Sequence, residues 1–425
     1  MKKAVERAFL VGVEWKENKF PIQESLAELS RLAYTAGAEV IASTYQKIEK
    51  PNPRFFIGTG KAEEISAIVK SQNIDVVIFD DELTPSQQSN LEGLFPKNVK
   101  VIDRTALILD IFGTHATTRE GKLQVQLAQL QYLLPRLRGM WSHLAKEQTR
   151  GGIGSRFGMG ESQLEVDRRL IRQKISSLRR ELKQVANTRN TKSKTRNDSH
   201  IFRIALAGYT NAGKSSVLNA LTGSNVLSQD LLFATLDPTT RKLVLPEGRE
   251  LTITDTVGFI QKLPTTLVES FHSTLQEVIE ADLILEIVDT SSENYEYHIE
   301  TVNAVLDQIG ADNISKQIVF NKCDLLSSDD LHERKLLHRN DIFVSAHSQE
   351  GMDELISYIA HKAAEADTLL EVIIPYSQGH LLELAHSKTH IYSEEFTNNG
   401  IKMKLQVPDV LLSQFHAYQS PYITK

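Results

Sequence analysis

The 425-residue chain has one cysteine, Cys323, two tryptophans and no long uninterrupted apolar run. A lone cysteine excludes an internal disulfide framework and a cysteine-ligated zinc site. The 13 histidines show no metal-ligand spacing. The longest apolar runs, such as Leu283–Val288, are broken by charge, here Glu286, and fall far short of a bilayer span. The first residues, Met-Lys-Lys-Ala-Val-Glu-Arg, lack the apolar core of a secretory signal. The expectation is a cytoplasmic protein without membrane insertion, peripheral membrane association being left open.

What is present reads as ordinary globular protein: 41% hydrophobic and 24% charged residues. At roughly 100–200 residues per domain, the length predicts two to four domains. The net charge of −6 conceals an asymmetry. Residues 116–200 hold 18 Lys+Arg against 7 Asp+Glu, a balance of +11, and the rest of the chain carries −17. A basic region on an acidic protein implies either a face for a polyanion or a solvated helix surface.

Residues 1–115 alternate apolar or β-rich runs (Ala8–Val13, Glu39–Tyr45, Ile74–Phe79, Val99–Ile102) with helically spaced segments (Ile22–Tyr34, Lys61–Gln72, Ser86–Leu94). That alternation predicts a small parallel-sheet α/β domain. Its Gly58-Thr-Gly-Lys61 lacks the spacing of a phosphate loop and reads as a turn into a helix. Residues 116–187 differ. Leu123, Leu127, Leu130, Leu134 and Leu137 form one apolar seam, and Ile171, Ile175, Leu178, Leu182 and Val185 form another with the same spacing. Two such helices predict an antiparallel hairpin, with Pro135 kinking or ending the first. The glycine-rich Arg150–Gly160 between them, carrying Arg156, would be its flexible tip. Such a tip suits close approach to structured RNA, or simply connects two core helices. Residues 188–199 are uniformly polar and read as a linker. After residues 200–365, a small α+β domain is expected over 366–425, where Asn398-Asn-Gly400 separates two alternating segments and predicts a hairpin turn.

Four blocks within about 140 residues carry the chemistry: Gly208-Tyr209-Thr210-Asn211-Ala212-Gly213-Lys214-Ser215, Asp255-Thr256-Val257-Gly258, Asn321-Lys322-Cys323-Asp324 and Ser345-Ala346-His347. The first lies between an apolar strand and a helix-compatible run, as a phosphate loop requires. Backbone N–H groups there surround a β-phosphate, Lys214 supplies a charge to the β- and γ-phosphates, and the Ser215 hydroxyl ligates Mg²⁺. Asp255 places a carboxylate beside that metal, in its second shell, and the Gly258 N–H reaches the γ-phosphate. Asp324 accepts hydrogen bonds from guanine N1–H and N2–H₂, which adenine lacks. Asn321 ties that loop to the phosphate loop, Lys322 lies against the ring, and Ser345-Ala346-His347 closes the base pocket. The four blocks in one order predict a GTP/GDP-binding P-loop domain with a mostly parallel sheet and flanking helices. Its first switch, Phe233-Ala234-Thr235-Leu236-Asp237 with Thr239 and Thr240, offers three threonines as a second hydroxyl on Mg²⁺, and spacing does not choose among them. Phe259, following Gly258, cannot orient water as a glutamine would. Hydrolysis is therefore expected to be slow alone and partner-stimulated. With Lys214 and Gly258, Asn211 is expected to be catalytic, because its position resembles one that coordinates K⁺ in some related GTPases.

The Asp-Thr-Val-Gly-Phe259 block, Phe233–Arg241, and Gly151-Gly-Ile-Gly before Gly160-Glu-Ser-Gln-Leu-Glu165 together resemble the HflX family, ribosome-associated GTPases related to the Obg group. The resemblance runs over most of residues 1–365. It implies binding to the large ribosomal subunit, with dissociation or rescue of stalled ribosomes, and makes Thr235 the preferred Mg²⁺ ligand. A monomer is expected. The competing reading is a regulatory GTPase with a protein or membrane partner, the hairpin serving as its interaction arm.

Overall fold

The computed structural model describes residues 5–15, 20–148, 159–197, 201–224, 232–233, 238–246, 248–262 and 272–419. The chain forms two compact units. The first comprises Met1–Val185 together with Gln229–Asp237 and Ile260–His272, two segments that sequence order assigns to the GTP-binding domain. The second comprises Ala186–Ser228, Pro238–Phe259 and Ser273–Lys425.

In the first unit, strands β1 (Glu6–Glu14), β2 (Ala38–Lys47), β3 (Val76–Phe79) and β4 (Lys100–Asp103) form a parallel sheet in the order β2-β1-β3-β4. The central β1 and β3 are continuous apolar runs because both faces are covered. Helices α1 (Ile22–Thr35), α2 (Thr59–Ser71) and α3 (Pro85–Leu94) stand where helical spacing predicts them. Gly58 is the N-cap of α2, in agreement with the turn expected there. Helix α3 opens on a capping box between Thr84 and Gln87. Helix α4 (Arg104–His115) has no signature in the sequence pattern: Arg-Thr-Ala-Leu-Ile-Leu-Asp-Ile-Phe is too uniformly apolar to show a period. Asp103 ends β4 and caps α4, its carboxylate accepting the Ala106 N–H at 2.9 Å.

Helices α5 (Arg119–Gln148) and α6 (Met159–Asn197) carry the two predicted seams. Leu127, Ile175 and Leu178 are buried together, with Leu123, Leu130, Leu134, Ile171 and Leu182 against them. Pro135 lies inside α5, which continues past it to Gln148. The helix is held on both sides of it: the Tyr132 hydroxyl donates to Asp103 at 2.9 Å, and Arg136 donates to the Leu83 carbonyl at 2.7 Å. The glycine-rich stretch 149–158 lies outside the described residues. The polar stretch 188–199, expected as an irregular linker, is helical as far as Asn197. It contains neither Gly nor Pro, so nothing in it halts a helix already propagating.

The second unit contains a six-stranded sheet, β10-β9-β8-β5-β7-β6, formed by β5 (Arg203–Gly208), β6 (Thr239–Val244), β7 (Glu250–Asp255), β8 (Leu283–Asp289), β9 (Ser315–Asn321) and β10 (Ile342–Phe343). Every pairing is parallel except β6 with β7. A C-terminal antiparallel sheet, β11-β13-β12, follows: β11 (Thr368–Ile374), β12 (His390–Thr397) and β13 (Gly400–Val407), the last two joined at the predicted Asn-Gly turn. Arg249 grips Asp367 with two nitrogens, each at 2.7 Å, just before this sheet begins.

Candidate functional site

Parallel strands β5, β8 and β9 end at one edge of the six-stranded sheet, where open α/β folds place their ligands. Strand β5 ends at Gly208, and helix α7 (Lys214–Thr222) begins after five intervening residues. Both flanking glycines are required. Gly213 has φ +92°, and a Cβ there would strike the Asn321 amide; at Gly208 (φ +149°) it would strike the Ile287 carbonyl.

Lys214 is buried, with Nζ donating to the carbonyls of Gly208 at 3.2 Å and Tyr209 at 3.0 Å. Burial pushes its ammonium down to about 8, against the opposing pull of Asp255. A lysine so placed gains most when anionic phosphates join it. The Ser215 hydroxyl donates to Asp255 Oδ2 at 2.5 Å, and Asp255 is fully buried at the end of β7. Hydroxyl and carboxylate converge as a hard cation requires. Among the described residues, no group of three or more His, Cys, Asp or Glu could hold a metal alone. A cation here would share Ser215 with phosphate oxygens and water.

The Asp255–Gly258 segment runs along the phosphate loop. Thr256 donates to the Leu206 carbonyl at 2.6 Å, and Val257 is buried. A Cβ on Gly258 would lie 2.9 Å from Thr210 Cα and 3.0 Å from Lys214 Nζ, so the segment abuts the loop closely. Phe259 donates its N–H to Gly208 at 3.1 Å and accepts from the Thr210 N–H at 2.8 Å, while its side chain is buried. The Tyr209 ring stacks on His298 at 4.0 Å. Asn211 adopts φ +61° within the loop.

The Asn321–Asp324 and Ser345–His347 blocks meet at Asn321. Its Nδ2 donates to the Ala212 carbonyl at 3.0 Å and its Oδ1 accepts the Ala346 N–H at 3.1 Å, so one side chain joins three blocks. Asp324 accepts from the Ser345 hydroxyl at 2.6 Å, and Ser345 in turn accepts the Ser348 N–H at 3.0 Å. Lys322, at φ +66°, is held by Asp289 at 2.7 Å. Cys323 turns away: its thiol is buried with Val288, Tyr295, Phe320 and Phe343, and burial pushes it up to about 11. The His347 side chain is exposed.

The first switch is only partly visible, since Ala234, Thr235, Leu236 and Asp237 lie outside the described residues. Of the other candidate hydroxyls, Thr240 shares a 2.9 Å hydrogen bond with Thr254, and Thr239 stands opposite Asp255 across β6 and β7. Phe233 was expected at the nucleotide. Its ring instead packs edge-on to Phe112 in the first unit, centroids 4.6 Å apart, with its backbone at φ +59°. An aromatic ring buried this way reads as an anchor for the switch. Sequence reasoning missed Asp289 and His298. Asp289 had a signal, a carboxylate closing the apolar β8 beside Asn321; His298 had none, because it sits mid-helix on Tyr295–Gln308.

Three family models match the chain in order: GTP-binding GTPase N-terminal over residues 23–113, GTP-binding GTPase Middle Region over 115–196, and 50S ribosome-binding GTPase over 203–322. GTPase HflX of Magnetococcus marinus is 43% identical over 399 residues, covering 93% of this chain and 91% of the relative. GTPase HflX of Caldanaerobacter subterraneus is 44% identical over 402 residues, covering 95% and 91%. Among solved structures, a crystal structure of SsGBP in complex with GDP covers 85% of this chain and 99% of its own, at 24% identity and TM-score 0.48.

Proposed function

Because the chain belongs to the HflX family of GTPases, we propose that it is a GTP-hydrolysing switch that binds the large ribosomal subunit and promotes dissociation or rescue of stalled ribosomes. The observation that carries this reading is the match of residues 203–322 to a model described as a 50S ribosome-binding GTPase. Charge supports it. Along α6, Arg169, Arg172, Gln173, Ser176, Ser177 and Arg180 line one open groove, a row of donors suited to a phosphate backbone. The glycine-rich stretch between α5 and α6 would contact ribosomal RNA.

For turnover, Lys214 would hold the β- and γ-phosphates and Gly258 would donate its N–H to the γ-phosphate. Ser215, with Asp255 behind it and Thr235 from the first switch, would hold Mg²⁺, which when bound neutralises charge between the β- and γ-phosphates. Phe259 is buried and offers no group to orient water, so intrinsic hydrolysis would be slow and completed by the partner. Asn211 would bear on a K⁺ requirement, tested by rates in K⁺ and Na⁺ with and without large subunits.

The test of the main reading is co-sedimentation with large subunits in GDP, a non-hydrolysable GTP analogue and no nucleotide, repeated after deleting Gly151–Gly160. The expected result is analogue-dependent binding that falls steeply with salt and is lost on deletion. Binding insensitive to salt would instead favour the protein-partner reading.

A further inference from the structure

The second switch is attached at both ends within a few residues. Phe259 is bound through its backbone to Gly208 and Thr210 of the phosphate loop. The segment Ile260–His272 belongs to the N-terminal unit. Ile260 is fully buried, Gln261 donates from Nε2 to the Ser25 hydroxyl at 3.1 Å, and Lys262 Nζ lies 2.5 Å from Asp80 Oδ2 and 2.6 Å from Asp81 Oδ1. Asp80 and Asp81 directly follow the carboxyl end of β3, the edge where parallel sheets place binding groups, and Ser25 lies on α1.

The acceptors are themselves part of a buried charge cluster. Asp80 is fully buried and takes hydrogen bonds from Ser25 at 2.6 Å and Arg104 at 2.7 Å, and Arg104 also pairs with Glu28. Two carboxylates, Asp80 and Glu28, therefore share the Arg104 guanidinium, and the Lys262 ammonium supplies a second positive charge to Asp80 and Asp81. Burial holds the Asp81 carboxyl above the usual range, an effect that Lys262 opposes and Asp80 reinforces. Removing Lys262 leaves two adjacent carboxylates without it. The backbone at Lys262 is left-handed, φ +53°, a conformation disfavoured for a residue with a Cβ. A segment free to relax would leave it.

We infer that Lys262 is a latch through which the N-terminal unit sets the position of the second switch, so that the contact at Gly258 and the ordering of residues around Ser25 and Asp80 are reciprocally coupled. Lys262 is a positioning residue: it reaches no phosphate and acts through the three-residue connection from Phe259. A ligand that favours one placement of Gly258 must then favour one state of the Asp80–Asp81 edge, by the same free energy in both directions. This goes beyond ribosome binding and does not depend on it, since the coupling lies within one chain.

The test is amide hydrogen exchange on the full chain with GDP and with GppNHp, in wild type, Lys262→Met, Lys262→Arg and Asp81→Asn. In wild type, peptides covering residues 22–33 and 76–84 should differ in protection between the two nucleotides. Lys262→Met and Asp81→Asn should erase that difference and shift the ratio of GppNHp to GDP dissociation constants by about fivefold or more, the lower end of ordinary coupling. Lys262→Arg should retain both. Lys262 is partly exposed, so its removal should leave protection of residues 208–216 by GDP intact, which reports on folding. No nucleotide-dependent difference in wild type, or an unchanged difference in Lys262→Met, would overturn the latch.

Discussion

Asn321 holds the phosphate loop and the base-reading loops at once, donating to Ala212 at 3.0 Å and accepting from Ala346 at 3.1 Å. Both bonds are made by a side chain that is 2% exposed, so neither partner is compensated by water when it is removed. Asn321→Ala should weaken GDP and GTP alike by about 2–4 kcal/mol, two unsatisfied buried groups at 1–3 kcal/mol each with partial relaxation. Equilibrium titration with a fluorescent guanine nucleotide reads the loss. Affinity within threefold of wild type would mean that the loops hold their spacing without the bridge.

In the proposed site, Asp324 would select the base. Its carboxylate is held by the Ser345 hydroxyl at 2.6 Å, leaving acceptor capacity for guanine N1–H and N2–H₂. Asp324→Asn replaces one acceptor oxygen by an amino donor, which faces the guanine amino group badly and suits the 2-oxo group of xanthine. GTP binding should fall at least about 100-fold, as when a site's hydrogen-bonding group is left mismatched, while XTP binding rises. Competition of XTP and GTP for the variant separates this from simple loss of fold: equal weakening of both nucleotides counts against base reading by Asp324.

Lys214 gives binding a pH signature. Burial lowers its folded value from 10.5 to about 8, so between those values the unfolded chain binds more protons than the folded one. Stability without nucleotide therefore rises with pH through that window, and the burial penalty on the charged ammonium is fully present below it. Phosphates beside Nζ favour the charged form, so nucleotide binding near pH 8 should take up roughly half a proton, and less at pH 7. Calorimetry in two buffers of different ionisation enthalpy measures this uptake. The Lys214→Met protein should show none of it, and equal apparent enthalpies for wild type in both buffers would show that Lys214 does not titrate on binding.

The nucleotide blocks were legible because backbone chemistry dictates them: Gly208 and Gly213 have no room for a Cβ, and Asn321 must reach two loops. The two seams were legible for a similar reason, since each follows from helical spacing within its own helix, although the meeting of Leu127 with Ile175 and Leu178 is between helices. What sequence could not show was nonlocal. The polar 188–197 continues a helix because α6 is already formed before it. Phe233 looked like a nucleotide contact, but its partner, Phe112, is 121 positions away on the uniformly apolar α4. Lys262 is one unremarked lysine until Asp80 and Asp81 are placed beside it.

Gly258 tests whether closeness of the second switch to the phosphate loop governs hydrolysis. The nearest atoms to an added Cβ are Thr210 Cα and Cγ2, both at 2.9 Å, and Lys214 Nζ at 3.0 Å. A backbone carbon cannot swing aside as a side chain can, so Gly258→Ala must push the segment off the loop. That movement strains the Phe259 bonds to Gly208 and Thr210, and carries the residue-258 N–H away from where the γ-phosphate would sit. GDP has no γ-phosphate, so its affinity should change by less than about threefold. Loss of one preorganised donor in the transition state costs about 2.7–4 kcal/mol, and single-turnover hydrolysis should accordingly fall by about 100-fold or more. A parallel loss of GDP affinity would place the damage in the phosphate loop itself, and unchanged hydrolysis would mean that the segment moves to the γ-phosphate from a position other than the one seen.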